Sequence, residues 1–187
     1  MTNPVFIVDI FAAIAALVNT DVIAQLQAYQ PSIQAINYQY GHKMELLETL
    51  IQMDKNPNTQ GAFKYPLIWL VTDFVESRGL QPGVYARTKL RIYIIHSSSN
   101  TYKATERKAK VFAPVLYPIY YSLISKLAKS PYILQASADM IPHDKWDRYY
   151  AGRAKIGGND ANMLNDYVDA IEIENLDLRI NYQFICP

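Results

Sequence analysis

The sequence predicts an α+β fold, with a mixed, mainly antiparallel sheet flanked by an N-terminal helix and a long central helix. Three observations predict it. Apolar residues recur at helical spacing near the N-terminus and again over 104–129, alternating segments lie between and after these stretches, and turn residues separate them. The chain has 187 residues, of which 50% are hydrophobic and 19% charged, so we expect one domain over 1–187.

The first helix is predicted to begin at Asn3 and Pro4 and to end near Val18, because Asn caps helices and Pro is tolerated at the first helical position. Its apolar stripe is predicted to contain Phe6, Ile10, Ala13, Ile14 and Leu17. The apolar stretch Val5–Val18 is shorter than the ~20 residues of a membrane span, so we expect it in the fold and expect no membrane partner.

The next segments predict three strands and one helix. Ile33–Tyr40 alternates and reads as a strand, whereas Met44–Met53 has helical spacing. Tyr65–Phe74 contains a continuous apolar run, which is typical of an interior strand buried on both faces. Tyr85–His96 alternates, and its two faces carry Leu90, Ile92 and Ile94 on one side and Arg87, Lys89 and Arg91 on the other.

The C-terminal half predicts a long helix, a polar segment and a closing strand. Pro114 and Pro118 interrupt the helix over 104–129, so we expect it to kink or restart there. The polar stretch 137–165 has no sustained period and is predicted to be a long excursion that contacts a partner. In Asp169–Phe184 the apolar parity changes once, which predicts a β-bulge near Glu174 and Asn175.

No motif in the sequence indicates an enzyme. His42, His96 and His143 are not spaced as a metal site, and a capping or loop role is favoured for His143 with Asp144. The serines 97–99 lack the glycines of a nucleophile elbow, the glycines 157–158 lack a phosphate-binding lysine, and the Asp166–Asp169 pair lacks a supporting motif. We therefore expect no catalytic residue, no cofactor and no metal.

Charge is distributed unevenly although the net charge is +1. The basic group comprises Arg87, Lys89, Arg91, Lys103, Arg107, Lys108 and Lys110. The acidic group comprises Asp160, Asp166, Asp169, Glu172, Glu174 and Asp177. Three interpretations are open: the two groups join subunits head to tail, they neutralise each other within one chain, or the basic group contacts DNA in the channel of a ring.

Two further features of composition bear on partners and compartment. The 15 tyrosines suit a protein interface, and they equally suit strand positions. The single cysteine, Cys186, allows no disulfide within the chain, which favours folding inside a cell.

The run Lys64–Ile68 and the stretch Phe112–Tyr121, with its two prolines, resemble small neck and tail-completion proteins of tailed bacteriophages. The predicted order of helices and strands is similar to theirs. The resemblance implies a tail-terminator-like fold and a virion structural protein made in the host cytoplasm. Such a protein would form a homo-oligomeric ring at the head-to-tail junction and contact portal, neck or tail proteins. The alternative is a small cytoplasmic protein-binding module without catalytic activity.

Overall fold

The computed structural model of the chain describes residues 6–55, 64–79, 86–134, 141–149 and 166–181. Its fold is α+β, as the sequence predicts. The helices are α1 (Ile7–Tyr29), α2 (Lys43–Lys55) and α3 (Ala104–Lys129). The strands are β1 (Asn37–Gly41), β2 (Leu67–Val71), β3 (Glu76–Arg78), β4 (Ala86–Ser97), β5 (Asp144–Arg148) and β6 (Val168–Ile180).

The strands form one mixed sheet in the order β1-β2-β4-β6-β5, and β3 pairs with β4 beyond the end of β2. The pair of β1 and β2 is parallel, whereas the other pairs are antiparallel. The long strands β4 and β6 pair along most of their length. β2 is buried at every residue and lies inside the sheet, which confirms the prediction of an interior strand.

One face of the sheet, the helix face, is covered by α1 and α3. The core on this face contains the inward residues of β4 and β6 together with the buried residues of both helices. The predicted alternation of β4 is confirmed, because Leu90, Ile92 and Ile94 lie in this core and Arg87 and Arg91 are exposed.

α1 differs from the prediction in its end and in its buried stripe. It continues to Tyr29, because Asn19 and Asp21 form contacts with neighbouring segments, while Val22 and Leu26 extend the buried face. The buried residues are Ile7, Ile10, Phe11, Ile14, Ala15, Val18, Val22 and Leu26. The predicted members Ile10 and Ile14 are confirmed, whereas Phe6, Ala13 and Leu17 are exposed, so the buried stripe is rotated about the helix axis from the predicted one. The predicted start at Asn3 and Pro4 lies outside the described residues.

The opposite face of the sheet, the α2 face, is covered only in part by the described residues. Leu46, Leu50 and Ile51 of α2 pack on Trp69 and on the ends of β4 and β6. At Gly41 the backbone φ is 155°, and an added Cβ would lie 2.4 Å from a carboxylate oxygen of Glu45. The turn from β1 into α2 therefore requires glycine.

All three helices begin with the same device: an acidic side chain in the first turn accepts a hydrogen bond from the backbone N–H just before the helix. The pairs are Phe6 with Asp9 (3.3 Å), His42 with Glu45 (2.7 Å) and Lys103 with Glu106 (3.1 Å).

α3 accommodates its prolines by loosening one stretch of the helix. Lys108–Leu116 is π-helical, and the α-helical segment Tyr117–Lys129 follows with Pro118 in its first turn. The Tyr29 hydroxyl donates to the carbonyl oxygen of Lys110, which is the acceptor that the missing N–H of Pro114 would serve in an α-helix. The helix is therefore continuous but changes geometry where a kink or restart is predicted.

Two findings concern the C-terminal strands. β5 lies inside the stretch 137–165, for which an excursion without secondary structure is predicted, so that prediction is wrong for Asp144–Arg148. The sequence pattern does not predict this strand, because an edge strand buries few side chains and four of its five residues are charged. The bulge in β6 is confirmed: the register shifts opposite Leu90 and Ile92, and Asn175 has a φ of 52°.

α1 and α3 are each long and apolar enough to cross a membrane, judged by length and composition. In the fold both contribute apolar side chains to the core on the helix face. The length argument for the N-terminal segment does not hold, because α1 is 23 residues long.

Candidate interaction surfaces

The two charge groups meet on the α2 face, where β4 and β6 lie side by side. Arg87 donates two hydrogen bonds to Asp177, one of them 2.8 Å long, and Arg91 pairs with Glu174 at 2.7 Å. The hydrogen bonds from Arg87 lower the pKa of Asp177. This row of charges is thus neutralised across a strand pair of one chain.

A second ion pair is buried on the helix face. Arg107 and Asp169 are 1% and 0% exposed, with 2.6 Å between the guanidinium and the carboxylate. Ser98 donates to the other Asp169 oxygen at 2.6 Å, and Arg107 also donates to the carbonyl oxygens of Ser99 and Tyr102. This network joins the start of α3 to β6 and to the loop that precedes α3, and its two charged side chains are buried.

The remaining predicted interface residues occupy several places. Lys64 pairs with Asp166 at 2.7 Å, and Lys110 pairs with Glu106 at 3.2 Å. Three basic side chains, Lys89, Lys103 and Lys108, are exposed. Asp160 lies outside the described residues. Every described member of the acidic group therefore has a basic partner within the chain, and contact with a second subunit or DNA stays a prediction.

An aromatic surface lies where α3 passes β5. It comprises Tyr117, Tyr120 and Tyr121 of α3, with 5.1 Å between the ring centres of Tyr120 and Tyr121, and Tyr149 after β5. Phe112 of α3 links Tyr149 to them, since its ring centre lies 5.3 Å from that of Tyr149 and 5.8 Å from that of Tyr117. Tyr121 is 64% exposed and Tyr149 is 44% exposed. Because these rings stand on a helix and a strand end, they form a fixed apolar surface with polar tips.

Polar contacts orient the aromatic surface. The Tyr117 hydroxyl donates to Asp147 at 2.6 Å, and the ammonium of Lys145 lies 4.7 Å from the centre of the Tyr117 ring. Burial, together with the bond to Asp147, raises the pKa of Tyr117 above its usual value. Since a neutral tyrosine donates its proton, the surface keeps this hydrogen bond at physiological pH.

His143, the candidate metal or capping residue, also supports the aromatic surface. Its Nδ1 lies 2.8 Å from the carbonyl oxygen of Ile141, which assigns the proton to Nδ1, and its Nε2 accepts from the Tyr120 hydroxyl at 2.7 Å. Both ring nitrogens are thereby engaged. Within the described residues, no group of three or more His, Cys, Asp or Glu side chains is placed to hold a metal ion.

A groove of about 580 Å³ lies on the α2 face between α2 and the end of β5. Met44, Leu47 and Tyr93 give it an apolar wall and floor, and Lys43 and Arg148 stand at its polar side.

The polar floor of the groove is fixed by Glu172. It accepts from the Tyr93 hydroxyl at 2.6 Å and from the Arg148 guanidinium at 2.7 Å. Burial alone would raise the pKa of Glu172, but these hydrogen bonds outweigh it and the pKa is lowered. The groove therefore offers an anchored carboxylate beside apolar side chains.

The other predicted chemical candidates are not assembled into a site. Asp166 and Asp169 pair with different lysine and arginine partners, and Ser98 belongs to the buried ion-pair network. The glycines 157–158 lie outside the described residues.

Sequence reasoning missed the groove and the aromatic surface. The spacing of Tyr117, Tyr120 and Tyr121 places them on one turn of a helix, and this signal was available.

Comparison of the chain with protein-family models, with curated proteins and with solved structures gives no match.

Proposed function

We propose that this chain is a virion structural protein that forms an oligomeric ring at the head-to-tail junction of a tailed bacteriophage, in contact with portal, neck or tail proteins. The observation that carries this proposal is the aromatic surface on α3 and β5. Tyrosine and tryptophan are enriched in protein interfaces, where their rigid rings lose little side-chain entropy on docking. The resemblance of the Lys64–Ile68 and Phe112–Tyr121 segments to neck proteins is the reason for placing this ring at the head-to-tail junction.

The role of such a subunit is mechanical. The aromatic surface stands on α3, which is packed on the sheet through a continuous core, so the rings need little reordering on contact. Docking surfaces that are organised before contact bind with a smaller loss of entropy.

The structure changes the expected salt dependence of this assembly. Because the described acidic residues pair inside the chain, opposed charge patches are not required to join subunits. We expect ring formation to differ little between about 0.15 M and about 1 M salt, since apolar and aromatic contacts are not screened.

Negative-stain electron microscopy and light scattering of the purified chain, alone and with portal or tail proteins, test the proposal. Tyr121→Asp should abolish rings, because it introduces a charge into the aromatic surface. Val75→Asp is the matched control, since Val75 is 79% exposed and lies outside that surface. A wild-type chain that stays monomeric with every neck partner, or equal assembly of Tyr121→Asp, would contradict the proposal.

The groove supports a second candidate function, a small protein-binding module. Its volume is in the range of ligand-binding clefts, and its apolar wall with Lys43 and Arg148 suits a segment that carries an apolar and an acidic side chain. A module predicts a monomer or dimer in light scattering, whereas a ring subunit predicts a higher oligomer. Leu47→Arg should block binding to the module's partner and leave rings intact.

A further inference from the structure

β5 forms one edge of the sheet. It pairs with β6 on its inner side, and among the described residues no strand pairs with its outer side. The N–H and C=O groups of an outer edge are free to pair with another strand, so such edges are usually blocked or used.

The side chains of β5 alternate in charge around a central tryptophan. Their order is Asp144, Lys145, Trp146, Asp147 and Arg148. In antiparallel pairing with the same strand of a second copy, centred on Trp146, Asp144 lies opposite Arg148 and Lys145 lies opposite Asp147. Every charge then meets its opposite, and the two tryptophans meet each other.

Other registers lack this complementarity. A shift by one residue places Lys145 opposite Arg148, or Asp144 opposite Asp147. A shift by two residues places Lys145 opposite Lys145, or Asp147 opposite Asp147. A parallel pairing in register opposes every charge to itself, and like charges directly opposite each other are destabilising. The sequence of β5 therefore selects one arrangement with a second copy.

The side chains of β5 are already held in strand positions. Asn175 donates to Asp144 at 2.7 Å, Arg148 donates to Glu172 at 2.7 Å, and the Arg148 guanidinium lies 4.9 Å from the centre of the Trp146 ring. Trp146 is 48% exposed. Pairing would cover this ring and place its counterpart beside it, which adds apolar burial to the charge matching.

We propose that β5 pairs antiparallel with β5 of a second copy about a two-fold axis through Trp146, so that the two sheets become one. About four to six main-chain hydrogen bonds would form. The axis is perpendicular to the sheet, which places the helix layers of both copies on the same side. This contact joins two copies and does not extend into a ring. It does not rest on the ring contact proposed above, although Lys145 and Asp147, which pair with each other, also touch Tyr117 of the aromatic surface.

Charge reversal with mixing tests this contact. Sedimentation equilibrium should show a wild-type dimer, and Lys145→Glu or Asp147→Lys alone should raise the dimer dissociation constant at least ~10-fold, because each reversal acts twice across the axis. An equimolar mixture of the two variants should form heterodimers, since each new charge meets an opposite one. The double variant Lys145→Glu/Asp147→Lys should dimerise alone. Circular dichroism checks that each variant is folded. Lys108→Glu is the control, because it changes the net charge by the same amount as Lys145→Glu but lies on an exposed side chain outside β5. It should dimerise as the wild type does.

A cysteine test is independent of charge. In a Cys186→Ser background, Trp146→Cys should oxidise to a covalent dimer, because directly opposite Cα atoms of an antiparallel pair lie about 4.5–5.5 Å apart, within the range of about 4.4–6.8 Å that a disulfide allows. Val75→Cys in the same background is the control. A wild-type chain that is monomeric up to about 100 µM, single variants that dimerise normally, or a mixture that stays monomeric would each overturn the proposal. Loss of rings in Tyr121→Asp with dimers retained would bear on the ring alone.

Discussion

Replacing Arg107 by methionine should destabilise the fold by about 3–5 kcal/mol, because it leaves the carboxylate of Asp169 buried without its charged partner. The burial and geometry of the ion pair are the reasons for expecting a cost in this range. Asp169 is 0% exposed, it lies 2.6 Å from Arg107, and its second oxygen is held by Ser98, whose neutral hydroxyl does not compensate a full charge. For a chain of this length the loss corresponds to a fall in Tm of about 6–20 °C.

Urea unfolding followed by tryptophan fluorescence and circular dichroism measures this change. The double variant Arg107→Met/Asp169→Leu removes both charges, and we expect it to recover most of the lost stability, since an apolar pair of similar volume avoids the cost of the isolated carboxylate. The reasoning is refuted if Arg107→Met costs less than about 1 kcal/mol, or if the double variant is as unstable as the sum of its single variants.

Three further predictions concern stability. Burial lowers the pKa of His96 from 6.5 to about 4. As the pH falls between these values, the unfolded chain binds a proton that the folded chain does not, so the free energy of unfolding should fall by about 2 kcal/mol from pH 7 to pH 5. His96→Gln should remove this pH dependence in urea titrations. Gly41→Ala should cost about 1–3 kcal/mol in thermal unfolding, because a φ of 155° strains a residue that carries a Cβ and this Cβ would lie 3.0 Å from the Trp69 ring. Gly79→Ala, with nothing within 4 Å, should be tolerated. Arg87→Ala should cost less than about 1 kcal/mol despite its two hydrogen bonds to Asp177, because Arg87 is 57% exposed. A larger loss of stability in urea titrations would mean that this surface ion pair is stronger than its exposure implies.

The strands that carry most of the sheet were predictable because their periodicity is strict. Leu90, Ile92 and Ile94 alternate with charged residues, and the parity change in β6 located the bulge at Asn175. The end of α1 was not predictable in the same way. Asn19 and Asp21 follow the predicted end at Val18, and their partners, Ile36 and Ser122, are brought to them only by the fold.

The candidate surfaces were predictable only in part. The three tyrosines of α3 share a turn, but the sequence does not show that Tyr149 joins them through Phe112, because the contact of Tyr149 with Phe112 depends on the place of β5 beside β6. The groove likewise combines α2 with the ends of three strands, and no local pattern indicates such a meeting.

The sequence by itself determined the α+β class, the alternation of β4, the bulge in β6 and the charge pattern of β5, since each depends on the spacing of residues within one segment. The tertiary structure decided which residues of the two charge groups pair with each other. The antiparallel pairing of β4 with β6 brings Arg87 to Asp177 and Arg91 to Glu174, although these residues are far apart in the chain. Coulomb attraction depends on distance in space, so only the fold could bring residues of the two charge groups together as pairs within one chain.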